Sequence, residues 1–302
     1  MFPLKPLCDE PRQVILDTDI GPDCDDAGAL AILSLFSRKL GFKIAALINC
    51  TSNPWGNGTA EAIMRVCGVT GVPQGRFMRH SFLADSQAYN RQVATDYSPD
   101  CISGRLKVED SLELYRRTLL AAPDKGVTVI TIGQMNAIGE LFEKEPGLCG
   151  RKIASVVSMA GSMNEAVQEY NVKCHVDGAK AFFDGAEKLG IPVVLLPFET
   201  GADVMTGFAP DDGGRDPIRD AYRIYTGGAM RRNSWDLTAV HYAVLGENGF
   251  YRTFAPGKLT VLSGGEIRLV PSEGGNVSFA DKTVPHDVLE RELDGLIAES
   301  FL

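Results

Sequence analysis

The stretch VILDTDIGPDCDDAGALAIL, residues 14–33, joins an apolar run to a cluster of acids and then to a second apolar run. Its acids are Asp17, Asp19, Asp23, Asp25 and Asp26. Residues 14–16 are typical of a buried strand, and Gly21-Pro22 marks a turn. Asp25 and Asp26 begin a helix-forming run, where negative charge suits the positive end of the helix dipole. The stretch therefore predicts a strand, a turn and a helix, with carboxylates gathered where the strand ends.

The same alternation of short apolar runs and longer amphipathic runs continues along the chain. Strands are predicted at residues 13–19, 43–52, 126–133, 152–161 and 191–199, and helices at 24–39, 58–71, 110–123, 136–146 and 177–190. Apolar strands that alternate with helices indicate an α/β fold with a mainly parallel central sheet flanked by helices. Residues 257–280 alternate around Gly-Gly pairs, which predicts an appended C-terminal β-hairpin. Because no repeat or linker divides the chain, we expect one domain over residues 1–302.

Composition narrows the classes of partner. A net charge of −9 disfavours nucleic acid and anionic membranes, which both reward basic patches. A small molecule or a cation suits this charge better. The seven cysteines include no CxxC pair, which favours reduced thiols in a cytoplasmic protein. We also expect a homo-oligomer, a dimer or a tetramer.

The acids of the first loop predict a metal site. In a parallel sheet, ligands bind beyond the carboxyl ends of the strands, so Asp17, Asp19 and the acids that follow are all expected to face one crevice. Carboxylates this close raise one another's pKa unless a cation lies between them. Oxygen donors without His or Cys select a hard ion, Ca²⁺ or Mg²⁺. The alternative, that the acids only cap a helix, accounts for one or two of them but not for five.

Five segments, taken in order, resemble the inosine-uridine nucleoside hydrolase family. They are DTDIGPDCDDAGAL (17–30), TSNPWGNGTAEAIMRVCG (51–68), VTVITIGQMNAIGELF (127–142), MAGSMNEAVQEYNVKCHVDGAKAFFD (159–184) and NSWDLTAVHYAV (233–244). The resemblance implies a Rossmann-like nucleoside-hydrolase fold. It also implies a calcium-dependent hydrolase that cleaves the N-glycosidic bond of ribonucleosides, or of a related riboside, to ribose and free base.

The resemblance further implies roles for single residues. The implied Ca²⁺ ligands are Asp19, Asp26, Asp236 and the carbonyl of Met135, with Asp19 also accepting the proton of the attacking water. The implied substrate contacts are Asp25, Asn53, Asn164, Glu169, Asn171 and Trp235. Among these, Asp25 and Asn171 bind the 2′ and 3′ hydroxyls, while Asn164 and Glu169 reach the 5′ side of the sugar. Apart from the resemblance, the asparagines are also typical of turns, and Asp236 of a helix cap.

The sequence departs from the family at two places. The acidic loop is longer than the commonest form, which makes Asp23 an extra acid, expected to reach the metal through water. Trp235 stands where many members have a histidine, so the acid that protonates the departing base is unassigned. His241 is predicted to be packed or on the surface. Contacts to the base are expected within residues 75–97, where His80, Tyr89 and Arg79 are candidates.

Two other functions stay open at this point. A strand that ends in DTD also resembles haloacid-dehalogenase phosphatases, in which the first aspartate, here Asp17, attacks phosphate with Mg²⁺. The second is a relative that keeps the metal and ribose contacts but binds ribosides without turnover. Release of ribose from a nucleoside would distinguish the hydrolase from both.

Overall fold

The computed structural model describes residues 5–10, 12–85 and 88–301. Its strands are β1 (Gln13–Thr18), β2 (Ile44–Asn49), β3 (Gln74–Arg76), β4 (Val108–Asp110), β5 (Val127–Thr131), β6 (Ile153–Met159), β7 (Val193–Leu196), β8 (Met205–Gly207), β9 (Arg231–Asn233), β10 (Tyr251–Thr253), β11 (Gly257–Val261), β12 (Ile267–Pro271) and β13 (Val277–Lys282). Its helices are α1 (Asp25–Leu40), α2 (Gly56–Val66), α3 (Asn90–Tyr97), α4 (Pro99–Ile102), α5 (Ser111–Ala121), α6 (Asn136–Lys144), α7 (Pro146–Lys152), α8 (Tyr170–Lys173), α9 (Val176–Leu189), α10 (Phe198–Gly201), α11 (Pro217–Tyr225), α12 (Trp235–Leu245) and α13 (His286–Ser300). None of these helices is long and apolar enough to cross a membrane.

The central sheet is large and mostly parallel, as the sequence predicts. Its strand order is β12-β11-β13-β7-β6-β5-β1-β2-β3-β4, with β10 paired to β13. The run from β13 to β4 is parallel throughout, and β1 lies between β5 and β2. Strands β2 to β4 extend the sheet on one side of β1 and β5 to β7 on the other. The carboxyl end of β1 is therefore at the point where such sheets form a ligand crevice.

The predicted C-terminal hairpin is present and has an additional partner. Strands β11 and β12 pair antiparallel, with Leu259 opposite Leu269. The chain then returns as β13, which pairs antiparallel with Gly257 of β11 and parallel with β7. Strand β13 thus joins the hairpin to the parallel sheet. The two-stranded sheet of β8 and β9 and the last helix, α13, were not predicted from the sequence.

Two buried helices bring acids to the end of β1. Helix α1 is buried from Asp25 to Ser37, and α12 from Asp236 to Val244. Their close packing requires Gly28, because a Cβ there would lie 2.7 Å from the hydroxyl of Tyr222 and 3.1 Å from a methyl of Leu237. The acids in the first turns of both helices consequently lie beside each other, at the positive ends of two helix dipoles.

Candidate active site

A cavity of about 420 Å³ opens at the carboxyl ends of β1, β5 and β6. It is lined by Asp19, Pro22, Asp23, Asp25, Asp26, Ile132, Met159, Val167, Gln168, Glu169, Tyr170, Asn171, Lys173, Phe198, Tyr225, Arg232, Trp235 and Asp236. Carboxylates line part of this wall, and the rings of Phe198, Tyr225 and Trp235, which are linked by ring stacking and by contacts with Arg232, line another part. Such a cavity suits a ligand with a polar end and a planar apolar end.

Three carboxylates form the centre of the site. One oxygen each of Asp25, Asp26 and Asp236 lies within 4.8 Å of the others, and all three residues are buried. The hydroxyl of Thr18 donates to Asp26, and the backbone N–H of Asp236 donates to Asp25 at 3.0 Å. These donors hold the carboxylates of Asp26 and Asp25 in place without neutralising them.

The mutual repulsion of the three buried carboxylates favours binding of a cation. Burial, and then the charge of the neighbouring carboxylates, raise the pKa of Asp25, Asp26 and Asp236 well above the ordinary range. A dication among them would replace the protons that this repulsion otherwise retains. The donors are all oxygens, as Ca²⁺ prefers. The residues present therefore fit a hard divalent cation such as Ca²⁺.

Asp19 lies beside this group with its own set of contacts. Its Oδ2 accepts a hydrogen bond from Nε2 of Gln134 at 2.6 Å, and the same nitrogen donates to Oδ1 of Asn171 at 3.3 Å. Burial raises the pKa of Asp19 to about 7. Gly133 allows the chain after β5 to approach the backbone of Asp19, because a Cβ at Gly133 would lie 2.6 Å from the backbone nitrogen of Asp19. A carboxylate with a pKa near neutrality suits a general base.

Asn171 and Glu169 are fixed by backbone contacts. The amide nitrogen of Asn171 donates to the carbonyls of Ile132 and Met159, each at 3.1 Å. Glu169 caps α8 by accepting from the backbone N–H groups of Asn171 and Val172, and it also accepts from Gly161. Burial raises its pKa to about 7. Both residues line the cavity with side chains that these hydrogen bonds hold in place.

Three of the residues expected at the site do not line the cavity. Asn53 is buried and accepts from the backbone of Trp55 at 2.8 Å. Asn164 is exposed and accepts from Ala166 at 3.1 Å, the contact of an ordinary turn. The carbonyl of Met135 accepts from Gly139 at 2.9 Å. The structure thus brings together Asp19, Asp25, Asp26, Glu169, Asn171, Trp235 and Asp236, but not these three.

Asp17 departs from the expectation from the sequence, and Asp23 has a partner that the sequence did not predict. Asp17 does not face the crevice: it is fully buried and accepts from the hydroxyl of Tyr115 at 2.5 Å, and burial raises its pKa to about 8. Asp17 lies inside β1, and its side chain points toward Tyr115 in the helix layer. Asp23 does line the cavity, but it pairs with Arg232, with Nε–Oδ2 at 2.9 Å. Asp23 is therefore held in an ion pair, and its expected link to the metal through water stays a prediction.

Trp235 is packed in the aromatic part of the wall. Its indole N–H donates to the carbonyl of Phe198 at 2.9 Å, and the two rings stack with centroids 5.6 Å apart. The guanidinium of Arg232 lies 4.9 Å from the indole centroid. The sequence analysis missed Arg232, Phe198 and Gln134. Gln134 lies directly before Met135, within the segment 127–142 that resembles the family. No local sequence pattern identifies Arg232.

The candidates for base contacts lie outside the cavity wall. Arg79 is paired with Asp110 and Glu140, and His80 is exposed with its ring edge against Phe77. Tyr89 is buried and does not line the cavity, and residues 86 and 87 of this segment lie outside the described ranges. His241 is packed in the core, as one of the two expectations had it, with Nδ1 3.0 Å from the hydroxyl of Tyr251.

The fold and the site define an α/β protein with a buried acidic centre at the switch point of its sheet. The sequence profile of the inosine-uridine preferring nucleoside hydrolases matches residues 14–256, and the chain belongs to this family. No curated protein sequence matches it. The phosphatase alternative requires Asp17 as the nucleophile, and Asp17 is buried and does not line the cavity.

Solved structures show the same fold at low sequence identity. The inosine-uridine preferring nucleoside hydrolase from Bacillus anthracis superposes with a TM-score of 0.70 at 15% identity, over 95% of this chain and 99% of that one. An inosine-guanosine nucleoside hydrolase superposes with a TM-score of 0.73 at 14% identity, over 96% of this chain and 99% of that one. The type III effector XopQ, in complex with adenosine diphosphate ribose, superposes with a TM-score of 0.70 at 15% identity, over 97% of this chain and 94% of that one. These likenesses concern the fold.

Proposed function

We propose that this protein hydrolyses the N-glycosidic bond of ribonucleosides, or of a related riboside, to ribose and free base with the help of Ca²⁺. The observation that supports this most is the buried group of Asp25, Asp26 and Asp236 beside Asp19 in one cavity. The family to which the chain belongs consists of nucleoside hydrolases. An acidic cavity of this kind also suits a reaction in which the sugar becomes positively charged.

Asp25, Asp26 and Asp236 would hold the ion, together with Asp19, which the resemblance also implies as a ligand and which lines the same cavity. When bound, Ca²⁺ would orient the water and the vicinal sugar hydroxyls and lower the pKa of the water. We leave the Met135 carbonyl out of this set, because it accepts a helical hydrogen bond and does not line the cavity. Asp25, which the resemblance gave to the sugar, lies in the metal group in this arrangement.

The other residues act directly on the sugar and the water. Asp19, oriented by Gln134, accepts the proton of the attacking water. Asn171 offers its side-chain oxygen to a ribose hydroxyl, and Glu169 lies toward the 5′ side. As the glycosidic bond breaks, positive charge develops on the ring, and the nearby carboxylates stabilise it more than they stabilise the neutral substrate. We further propose a cytoplasmic homo-oligomer, and the seven free cysteines fit a reducing compartment.

The competing function is riboside binding without turnover. It is favoured by the likeness to XopQ, whose structure contains adenosine diphosphate ribose. Purine, pyrimidine and nicotinamide ribosides should be incubated with the protein, with and without Ca²⁺, while released reducing sugar and ligand binding are both measured. Calcium-dependent sugar release that Asp19→Asn abolishes supports the hydrolase. Binding of a riboside with no sugar release from any of them supports the binding protein instead.

A further inference from the structure

The departing base needs a group that stabilises its negative charge, and the cavity offers few. His80 is exposed outside the wall, and His241 is packed in the core. The indole N–H of Trp235 is already donated to the carbonyl of Phe198. Among the described residues that line the cavity, the cations are Lys173 and Arg232. Lys173 is exposed and follows Glu169, on the wall assigned to the 5′ side of the sugar.

Arg232 lies instead in the aromatic wall. Its guanidinium carbon is 4.9 Å from the ring centroid of Trp235 and 5.4 Å from that of Tyr225. Asp23 accepts from Nε at 2.9 Å and from Nη2 at 2.5 Å, which fixes the plane of the guanidinium. Within the part of the chain that the structure describes, the remaining nitrogen, Nη1, has one weak contact, with Oδ1 of Asn233 at 3.5 Å. A positioned cation with spare N–H donors therefore borders the space that suits a planar aglycone.

We propose that Arg232 is a catalytic residue that stabilises the departing base, in the role that a histidine next to the last aspartate fills in many relatives. This inference rests on the proposed function. Arginine stays charged in proteins, so it acts by charge and hydrogen bonding and does not give up a proton. Asp23 is its positioning residue.

The step balances without a protein acid. The bond between C1′ and the base nitrogen breaks, and its electron pair goes to the base. The water oxygen bonds to C1′ as Asp19 accepts the water's proton. Arg232 donates a hydrogen bond to the base anion, which then takes a proton from solvent water. The proton held by Asp19 returns to solvent, so riboside and water yield ribose and neutral base.

The test compares leaving groups in matched variants. Inosine has a poor leaving group, whereas p-nitrophenyl riboside needs little help to depart. We expect Arg232→Gln to lower kcat for inosine about 10²- to 10³-fold, as loss of an oxyanion donor does, and to lower kcat for p-nitrophenyl riboside less than about tenfold. Arg232→Lys, which keeps the charge but not the planar fork, should recover part of the rate on inosine.

Arg231→Gln is the control variant. Arg231 lies on the same strand, pairs with Asp294 at 2.9 Å and has a similar side-chain exposure of 34% against 30% for Arg232, but it does not line the cavity. It should lose comparable stability and keep both rates. Calcium binding, measured by titration calorimetry, should be unchanged in Arg232→Gln.

The outcomes separate this inference from the proposed function. Equal losses on both substrates in Arg232→Gln, or no loss on inosine, would overturn the role of Arg232. A wild-type protein that releases sugar from neither substrate would instead contradict the hydrolase itself. If Arg232→Gln fails to fold, Asp23→Asn supplies the same comparison, since it frees Arg232 without removing it and should lower the inosine rate selectively.

Discussion

Calcium should stabilise this protein more strongly at pH 8 than at pH 5. The reason is that Asp19, Asp25, Asp26 and Asp236 are buried close together in one cavity. Burial raises the pKa of Asp19 from 3.8 to about 7, and the pKa values of Asp25, Asp26 and Asp236 move in the same direction. The folded protein thus keeps protons that the unfolded chain releases, so its metal-free stability falls as pH rises from about 4 to about 7.

The size of the effect follows from Asp19 alone. At about 1.4 kcal/mol per pKa unit, the difference corresponds to about 4 kcal/mol, of which about 3 kcal/mol is lost between pH 5 and pH 8. For a chain of 302 residues this is roughly 4 °C in Tm. A bound dication replaces the protons, so the increase in Tm that Ca²⁺ produces should grow by at least this amount between pH 5 and pH 8.

Thermal unfolding followed by circular dichroism tests this expectation. Metal-stripped protein is heated with and without saturating Ca²⁺ at pH 5, 6, 7 and 8. Asp26→Asn removes one of the proposed ligands and should abolish the shift. Asp124→Asn removes an exposed carboxylate and should keep it, since the Asp124 side chain is 72% exposed. A calcium shift in the wild type that is the same at every pH, or larger at pH 5, would refute the reasoning.

Three further results are expected. Asp19→Asn should lower kcat by about 10²- to 10⁴-fold while ribose affinity and bound calcium persist, because the amide cannot accept the water's proton; wild-type turnover would remove Asp19 from this role. Trp235→His should raise kcat for inosine relative to p-nitrophenyl riboside, since imidazole can protonate the base and indole cannot; an unchanged ratio would show that the position does not act on the leaving group. Tyr115→Phe should cost about 1–3 kcal/mol of unfolding free energy in urea titrations, because it leaves buried Asp17 without its hydroxyl donor, and it should leave kcat unchanged. A loss of kcat in that variant would place Asp17 in the reaction.

The sequence predicts the fold well because its signals are local. Apolar strands alternate with amphipathic helices, and the strand, turn and helix of residues 14–33 form where the pattern indicates. The C-terminal hairpin follows from its alternation and its Gly-Gly turn. The insertion of β13 beside β7 depends on pairing between distant segments, for which the local pattern gives no signal.

The candidate site is predictable only in part for the same reason. The acids that follow β1 or begin a helix reach the cavity as expected. Asp17, which lies inside β1, instead points into the helix layer and bonds Tyr115. The partner of Asp23 lies 209 residues away in the sequence, so no spacing rule identifies Arg232. Asn53 and Asn164, which matched family positions, bond backbone N–H groups nearby, as turn asparagines do.

The most direct test of the central claim is the rate of ribose release from inosine as a function of free Ca²⁺, starting from metal-stripped protein. We expect no release without the metal, a saturable rise as Ca²⁺ is added, and loss of this rise in Asp26→Asn. A protein that binds calcium stoichiometrically and still releases no ribose, from inosine or from p-nitrophenyl riboside, would contradict the account.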